Sequence, residues 1–165
     1  MYITAALTLV LLPTALTAPS NVGKRELPDH TPVTVEDFDS SFDTKCGKAK
    51  VAGTDIEKAV EWGTNLNDAS QTLGSKKYPH IYQNHEAFKF PSGVCSSATN
   101  RLEFPVIKGG YFDGDDDAVG QVRAVFVHDP KGQPDGEGHP ISSYCGTIYH
   151  PNQGDNDFAG CDVTK

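Results

Sequence analysis

Leu73-Gly74-Ser75-Lys76-Lys77-Tyr78-Pro79-His80-Ile81-Tyr82, residues 73–82, is where the chain changes its period. Before Gly74, Ile56, Ala59, Val60 and Gly63 fall on one helical face, and Leu66, Ala69 and Leu73 continue the stripe with some drift. Thr54-Asp55-Ile56-Glu57 has the form of a capping box and Gly74 that of a stop, so one amphipathic helix is predicted over 54–72. After Gly74, Tyr78, His80 and Tyr82 alternate. On an extended strand over 76–82 their side chains would project from one face.

Strand signals continue to the C-terminus. Phe88-Lys89-Phe90 precedes a Ser/Gly-rich loop, and Leu102 to Ile107 alternates, with Pro105 required to avoid a ladder donor position. Val122 to His128 is rich in β-branched residues, and Tyr144 to His150 is the last clear strand. Between these two strands, residues 129–140 read as a long turn punctuated by Pro and Gly. One helix followed by a run of strands is an α+β layout, with an amphipathic helix packed on one face of an antiparallel β-sheet. Residues 26–45, with Val33, Val35, Phe38 and Phe42 as their apolar anchors, read as an N-terminal extension: a short strand at best, or a loose arm.

The first 17 residues have the pattern of a secretory signal, an apolar run from Ala5 to Leu16 followed by small residues. The run is too short for a membrane span, and Lys24-Arg25 reads as a dibasic processing site closing a propeptide over 18–25. The expected mature domain, 46–165 behind its extension, is secreted, monomeric and free of membrane. Without Lys24 and Arg25 the chain carries 12 basic against 22 acidic side chains, a net charge near −10. Such a surface repels polyanions at long range, so any contact with nucleic acid must come from a local site. In a secreted chain Cys46, Cys95, Cys145 and Cys161 imply two disulfides, with three pairings open. No Cys or His spacing suggests zinc. The acidic run Asp113 to Asp117 lacks the twelfth-position carboxylate of a calcium loop and reads as a solvated turn. No metal or cofactor is expected.

Glu103, Arg123 and His150 lie on three different predicted strands, which could gather them on one sheet face with Tyr78 and His80. Cleaving RNA through its own 2′-hydroxyl needs a base for that proton, an acid for the 5′-oxygen and positive charge on the phosphate. A carboxylate, an imidazolium and a guanidinium supply these without a metal.

With these residues assembled, the chain resembles the fungal guanyl-specific ribonucleases. The resemblance is carried by Tyr78-Pro79-His80, Tyr82 to Glu86, Glu103-Phe104-Pro105, Arg123 within Val122–Val127, Ile148-Tyr149-His150, Asn156-Asp157-Phe158 and Cys161. It implies Glu103 as general base assisted by His80, His150 as general acid, Arg123 and Tyr78 on the phosphoryl group, and Phe158 as an apolar wall. It further implies a guanine site of Tyr82, His85, Glu86 and donors from Gln83, Asn84 and Asn156. His85 stands where the family usually has an aromatic lid, and Gln83 where it has Asn, which would relax the base preference.

The same resemblance pairs Cys46 with Cys161. It likens Cys95–Cys145 to the second bridge of the sarcin-like ribotoxins, whose long Lys-rich loops this chain lacks. The implied activity is metal-independent cleavage of single-stranded RNA 3′ of guanosine. The alternative is a ribonuclease-like fungal effector or toxin that binds RNA or a host protein, although such relatives typically lack the catalytic residues kept here.

Overall fold

The computed structural model describes residues 26–165 except Ser92, Gln153 and Asp155, so the expected signal and propeptide lie outside the described residues. Strand β1 (Thr34–Glu36) is followed by a hairpin of β2 (Asp43–Cys46) and β3 (Ala49–Ala52), then helix α1 (Gly53–Asp68). Beyond the helix come β4 (His80–Ile81), a short helix α2 (Gly93–Ser97), β5 (Leu102–Pro105), β6 (Val122–His128), β7 (Ile141–Tyr149) and β8 (Ala159–Gly160). The main sheet runs β1-β7-β6-β5-β4, with β8 also on β7. The pairs β4–β5, β5–β6, β6–β7 and β7–β8 are antiparallel. Among the described residues no helix is long and apolar enough to cross a membrane.

The α+β expectation holds, with local corrections. The extension is ordered into β1 and β2, and β1 pairs with β7 in parallel (Thr34 with Ile141), so the sheet is mixed at that edge. Docking of β1 recruits the 129–140 turn. Asp135 accepts from the N–H groups of Glu137 and His139 and from the Thr34 hydroxyl, which pins the turn to the strand. These donors hold the Asp135 carboxyl down at about 2.

The capping box is not formed. β3 runs directly into α1, the N-cap is Ala52 with no side-chain cap, and the Asp55 carboxylate accepts from the Gly109 N–H at 2.9 Å instead. Gly53 begins the helix because a Cβ there would lie 2.3 Å from the Phe42 carbonyl oxygen. The helix also ends sooner than its stripe suggests. Ser70 takes φ +52°, and the Gln71 N–H reaches back to the Leu66 carbonyl at 2.8 Å, a Schellman-type close. Leu73 is thereby freed to bridge with Tyr78, and Gly74, at φ +70°, serves the turn between them. The expected strand 76–82 shrinks to His80–Ile81, because Lys77 at φ +59° and the cis Tyr78-Pro79 bond interrupt extended pairing.

Alternation divides the sheet into two faces. Phe104, Ala124 and Phe126 point to α1, where they pack with Ile56, Val60 and Leu66. Each large apolar side chain so buried contributes about 1.5–3 kcal/mol. Helix and sheet approach closely at Gly63, where a Cβ would meet the Phe126 ring at 2.8 Å. On the opposite face Tyr82, Phe88, Phe90, Val125 and Ile148 form a smaller core with Cys95 and Cys145. The disulfides are Cys46–Cys161 and Cys95–Cys145. The first ties the β2–β3 hairpin to the end of the chain, and the second ties α2 to β7. The smaller-core face also carries the functional side chains.

Candidate active site

Strand register positions the polar groups. His80 pairs with Glu103 across β4 and β5, Glu103 with Val125, and Pro105 with Arg123 across β5 and β6. Cross-strand partners share a face, so His80, Glu103 and Arg123 all point away from the helix. His150 follows β7 directly, its N–H donating to the Gln121 carbonyl at 3.0 Å. Residues predicted on separate strands therefore meet at one end of the sheet.

His80 Nε2 lies 2.6 Å from Glu103 Oε1, and its Nδ1 lies 2.9 Å from the Lys76 carbonyl oxygen. The hydrogen bond to Glu103 holds the imidazole pKa above its ordinary value, overcoming the opposite effect of partial burial. Glu103 itself is 6 % exposed, and its second oxygen, Oε2, is buried without a hydrogen-bond partner among the described residues. An unpaired buried acceptor costs about 1–3 kcal/mol.

Arg123, 3 % exposed, donates from Nε to the Tyr78 hydroxyl at 3.1 Å and from Nη1 to the carbonyls of Val119, Gly120 and Val122. Nη2 makes no hydrogen bond among the described residues, which leaves it for an anion. Burial raises the Tyr78 phenol pKa, and the Arg123 charge only partly offsets this. Tyr78 is thus a neutral donor, and its ring stacks on that of His80 at 4.6 Å. His150 packs against Phe158 at 4.0 Å between ring centres, with Nδ1 3.1 Å from the Asp157 carbonyl oxygen. Burial first, then the nearby Arg123 charge, hold its imidazole below the ordinary value.

The 82–88 loop is closed on itself. Asn84, at φ +53°, spends its side chain on both backbone groups of Phe88, accepting from the N–H at 2.9 Å and donating to the carbonyl at 3.1 Å. Glu86 accepts from the Tyr82 hydroxyl at 2.8 Å and from the Phe158 N–H at 3.1 Å, which holds its carboxylate between them. Each oxygen retains a free acceptor site. Burial, then the Glu86 hydrogen bond, push the Tyr82 phenol upward. The backbone N–H groups of Gln83 and Asn84 donate to nothing among the described residues. His85 and Asn156 are exposed at the rim.

These groups surround a cleft of about 270 Å³ that holds Tyr78, His80, Tyr82, Glu86, Glu103 and His150 in its walls, together with Gln83, His85, Asn156 and Phe158. Of the expected site residues, Asn84 and Arg123 do not line it. Asn84 shapes its loop, and Arg123 opens instead into an adjoining cleft of about 560 Å³. Lys76 lines both clefts and was missed by the sequence reading, although it shares the parity of Tyr78 and His80. A further cleft of about 500 Å³, around His128 and the 129–140 turn, contains none of these groups. Of the carboxylates in the 113–117 run, Asp113 accepts from the Asp115 N–H and Asp115 from the Asp117 N–H, which closes the turn on itself, while Asp116 reaches the Ser75 N–H.

A carboxylate–imidazole pair and a second imidazole in one cleft, with a buried guanidinium in the adjoining one, on a helix-backed sheet, match the class of small enzymes acting on phosphodiesters. The chain belongs to the ribonuclease family, whose sequence profile matches residues 39–162. It is similar to guanyl-specific ribonuclease T1 of Aspergillus oryzae, 29 % identical over 94 % of this chain and 93 % of that one. It is also similar to guanyl-specific ribonuclease Ap1 of Aspergillus pallidus, 30 % identical over 72 % of this chain and 97 % of the relative. Guanyl-specific ribonuclease Th1 of Trichoderma harzianum is likewise 30 % identical, over 72 % of this chain and 96 % of its own.

Proposed function

We propose that this protein is a secreted, guanyl-preferring endoribonuclease that cleaves single-stranded RNA 3′ of guanosine without a metal. The reading rests on one observation above the rest. Glu103, bonded to His80 through one carboxylate oxygen, lies in the wall of a cleft that also carries Tyr78 and His150, with Arg123 behind Tyr78.

Glu103 takes the proton of the 2′-hydroxyl, and His80, bonded to the other carboxylate oxygen, orients it. The 2′-oxygen then bonds to phosphorus, the bond from phosphorus to the 5′-oxygen breaks, and His150 passes its proton to the departing 5′-oxygen. The product is a 2′,3′-cyclic phosphate. Water attacks it with the acid and base roles reversed, giving a 3′-phosphate. Arg123 Nη2 and the Tyr78 hydroxyl face the charge that builds on the phosphoryl oxygens. Acid–base assistance accounts for about 10²–10⁴-fold, and orientation and charge stabilisation for the remainder.

Guanine fits the second half of the cleft, where the free acceptor sites of Glu86 meet its N1–H and 2-amino group. Adenine lacks both donors and would leave a carboxylate unpaired. The names of the similar proteins support the same base. With His85 in the lid position, the preference is graded and not absolute.

The test is digestion of RNA by the purified mature protein in EDTA, with mapping of the 3′ ends. Ends carrying guanosine 2′,3′-cyclic phosphate or 3′-phosphate are expected. Absence of cleavage, or cuts after every base alike, would overturn the proposal.

A further inference from the structure

The cleft around Glu86 and Glu103 continues past the catalytic groups. Lys76, Tyr78, His150 and Asn156 line both it and the larger adjoining cleft, so the two lobes meet along those residues. If His150 protonates the leaving 5′-oxygen, the nucleoside attached to that oxygen enters the second lobe. That step rests on the ribonuclease reading above.

The outer wall of the second lobe has an unusual charge for an RNA site. It contains Asp116 and Asp117, which do not reach the guanine side. Asp116 is held in place, since the Ser75 N–H lies 3.0 Å from Oδ1 and 3.1 Å from Oδ2. Asp117 is fixed through its backbone, whose N–H donates to the Asp115 carboxylate at 3.0 Å. The negative charge of Asp116 is felt as far in as the Tyr78 phenol, where it favours the neutral form. One cation sits at the junction and the other within the second lobe. Lys76 is exposed and belongs to both lobes, while Arg123 is buried and turned to Tyr78. Beyond the junction the exposed charges of the second lobe are therefore those of Asp116 and Asp117, on the side where the next phosphate downstream would follow.

We propose that the Asp116-Asp117 turn makes the enzyme selective for the length of RNA on the leaving side. The second lobe accepts a nucleoside but disfavours the phosphate that would extend it, so short 3′ flanks are preferred. Two carboxylates against a phosphate dianion or diester in a partly solvated cleft lower its occupancy by about three- to tenfold at low salt, and screening removes the effect at high salt.

The experiment compares kcat/KM for guanylyl-(3′→5′)-cytidine with that for the same dinucleotide bearing a terminal 3′-phosphate. At low salt the phosphate-bearing substrate is expected to react about three- to tenfold more slowly, with the ratio approaching one at high salt and in the Asp116→Asn/Asp117→Asn double variant. The single variant Asp117→Asn, whose side chain makes no hydrogen bond among the described residues, should close part of the gap with an unchanged melting temperature. Lys76→Gln should slow both substrates by the same factor. Equal rates for the two substrates in the wild type at low salt would overturn the inference, as would a gap that persists in the double variant. A Lys76→Gln loss confined to the phosphate-bearing substrate would place Lys76 on the downstream phosphate and also overturn it. Cleavage of neither dinucleotide would refute the ribonuclease reading itself, whereas cleavage without length dependence would refute this inference alone.

Discussion

His80 and Glu103 sit directly opposite each other on β4 and β5, and their side chains meet at 2.6 Å while the other Glu103 oxygen stays buried and unpaired. A carboxylate so arranged is oriented by one partner and keeps one oxygen enclosed and unbonded. Glu103→Gln keeps the shape and the contact with His80 but removes the basic charge. It should lower kcat by about 10²–10⁴-fold with little change in KM, checked by steady-state kinetics on a guanylyl dinucleotide.

The two site imidazoles are displaced in opposite directions, which shapes the pH dependence. His150 is held below its ordinary 6.5 by burial and by Arg123, so the free enzyme loses its acid form as pH rises through a value below 6.5. The basic limb of kcat/KM should therefore fall below pH 6.5. Saturating substrate, whose phosphate offsets the Arg123 charge, should move the limb of kcat upward.

His80 behaves differently, and the readout is stability. Its folded-state pKa is raised by Glu103, so its contribution is fully present below the unfolded value near 6.5 and is lost as pH rises through the higher folded value. Urea unfolding across that window should show a decline in the wild type that is absent in His80→Asn.

Glu86 is pinned by Tyr82 and by the Phe158 N–H. Glu86→Ala should raise KM for guanylyl substrates and reduce the preference for guanine over adenine by about a hundredfold or more. Tyr82→Phe removes one support of the carboxylate and should reduce the same ratio by a smaller factor. Parallel digestion of guanylyl and adenylyl dinucleotides measures both.

The disulfides span 115 and 50 residues, so the chain-entropy model assigns about 5 kcal/mol to Cys46–Cys161 and about 4 kcal/mol to Cys95–Cys145. Paired Cys→Ala replacements should lower the urea-unfolding free energy in that order. Gly63→Ala, which forces a methyl group onto the Phe126 ring, should cost about 1–3 kcal/mol without touching the cleft.

Much of this molecule was legible in local pattern. Helical spacing before Gly74 and alternation after it determined the α+β order, and β6 runs over Val122–His128 as its β-branched run indicates. The residue types at Tyr78, His80, Glu103, Arg123 and His150 carried the chemistry, and the cross-strand register brings His80, Glu103 and Arg123 to one face. Local pattern misled where distant backbone intervened. The capping box at Thr54 gave way because β3 enters the helix through Gly53 against the 40–42 backbone, and the stripe to Leu73 was cut short by the close at Ser70. Val35 looked like a loose anchor because its partner, Ser142, lies more than 100 positions away. The meeting of Lys76 with Asp116 and Asp117 in the lining of the second lobe was likewise invisible, since about 40 residues separate them in the chain. Sequence determined the main helix, the central strands and the chemistry they carry. Tertiary structure decided where elements end and which charges share a cleft, because those outcomes depend on contacts between segments far apart along the chain.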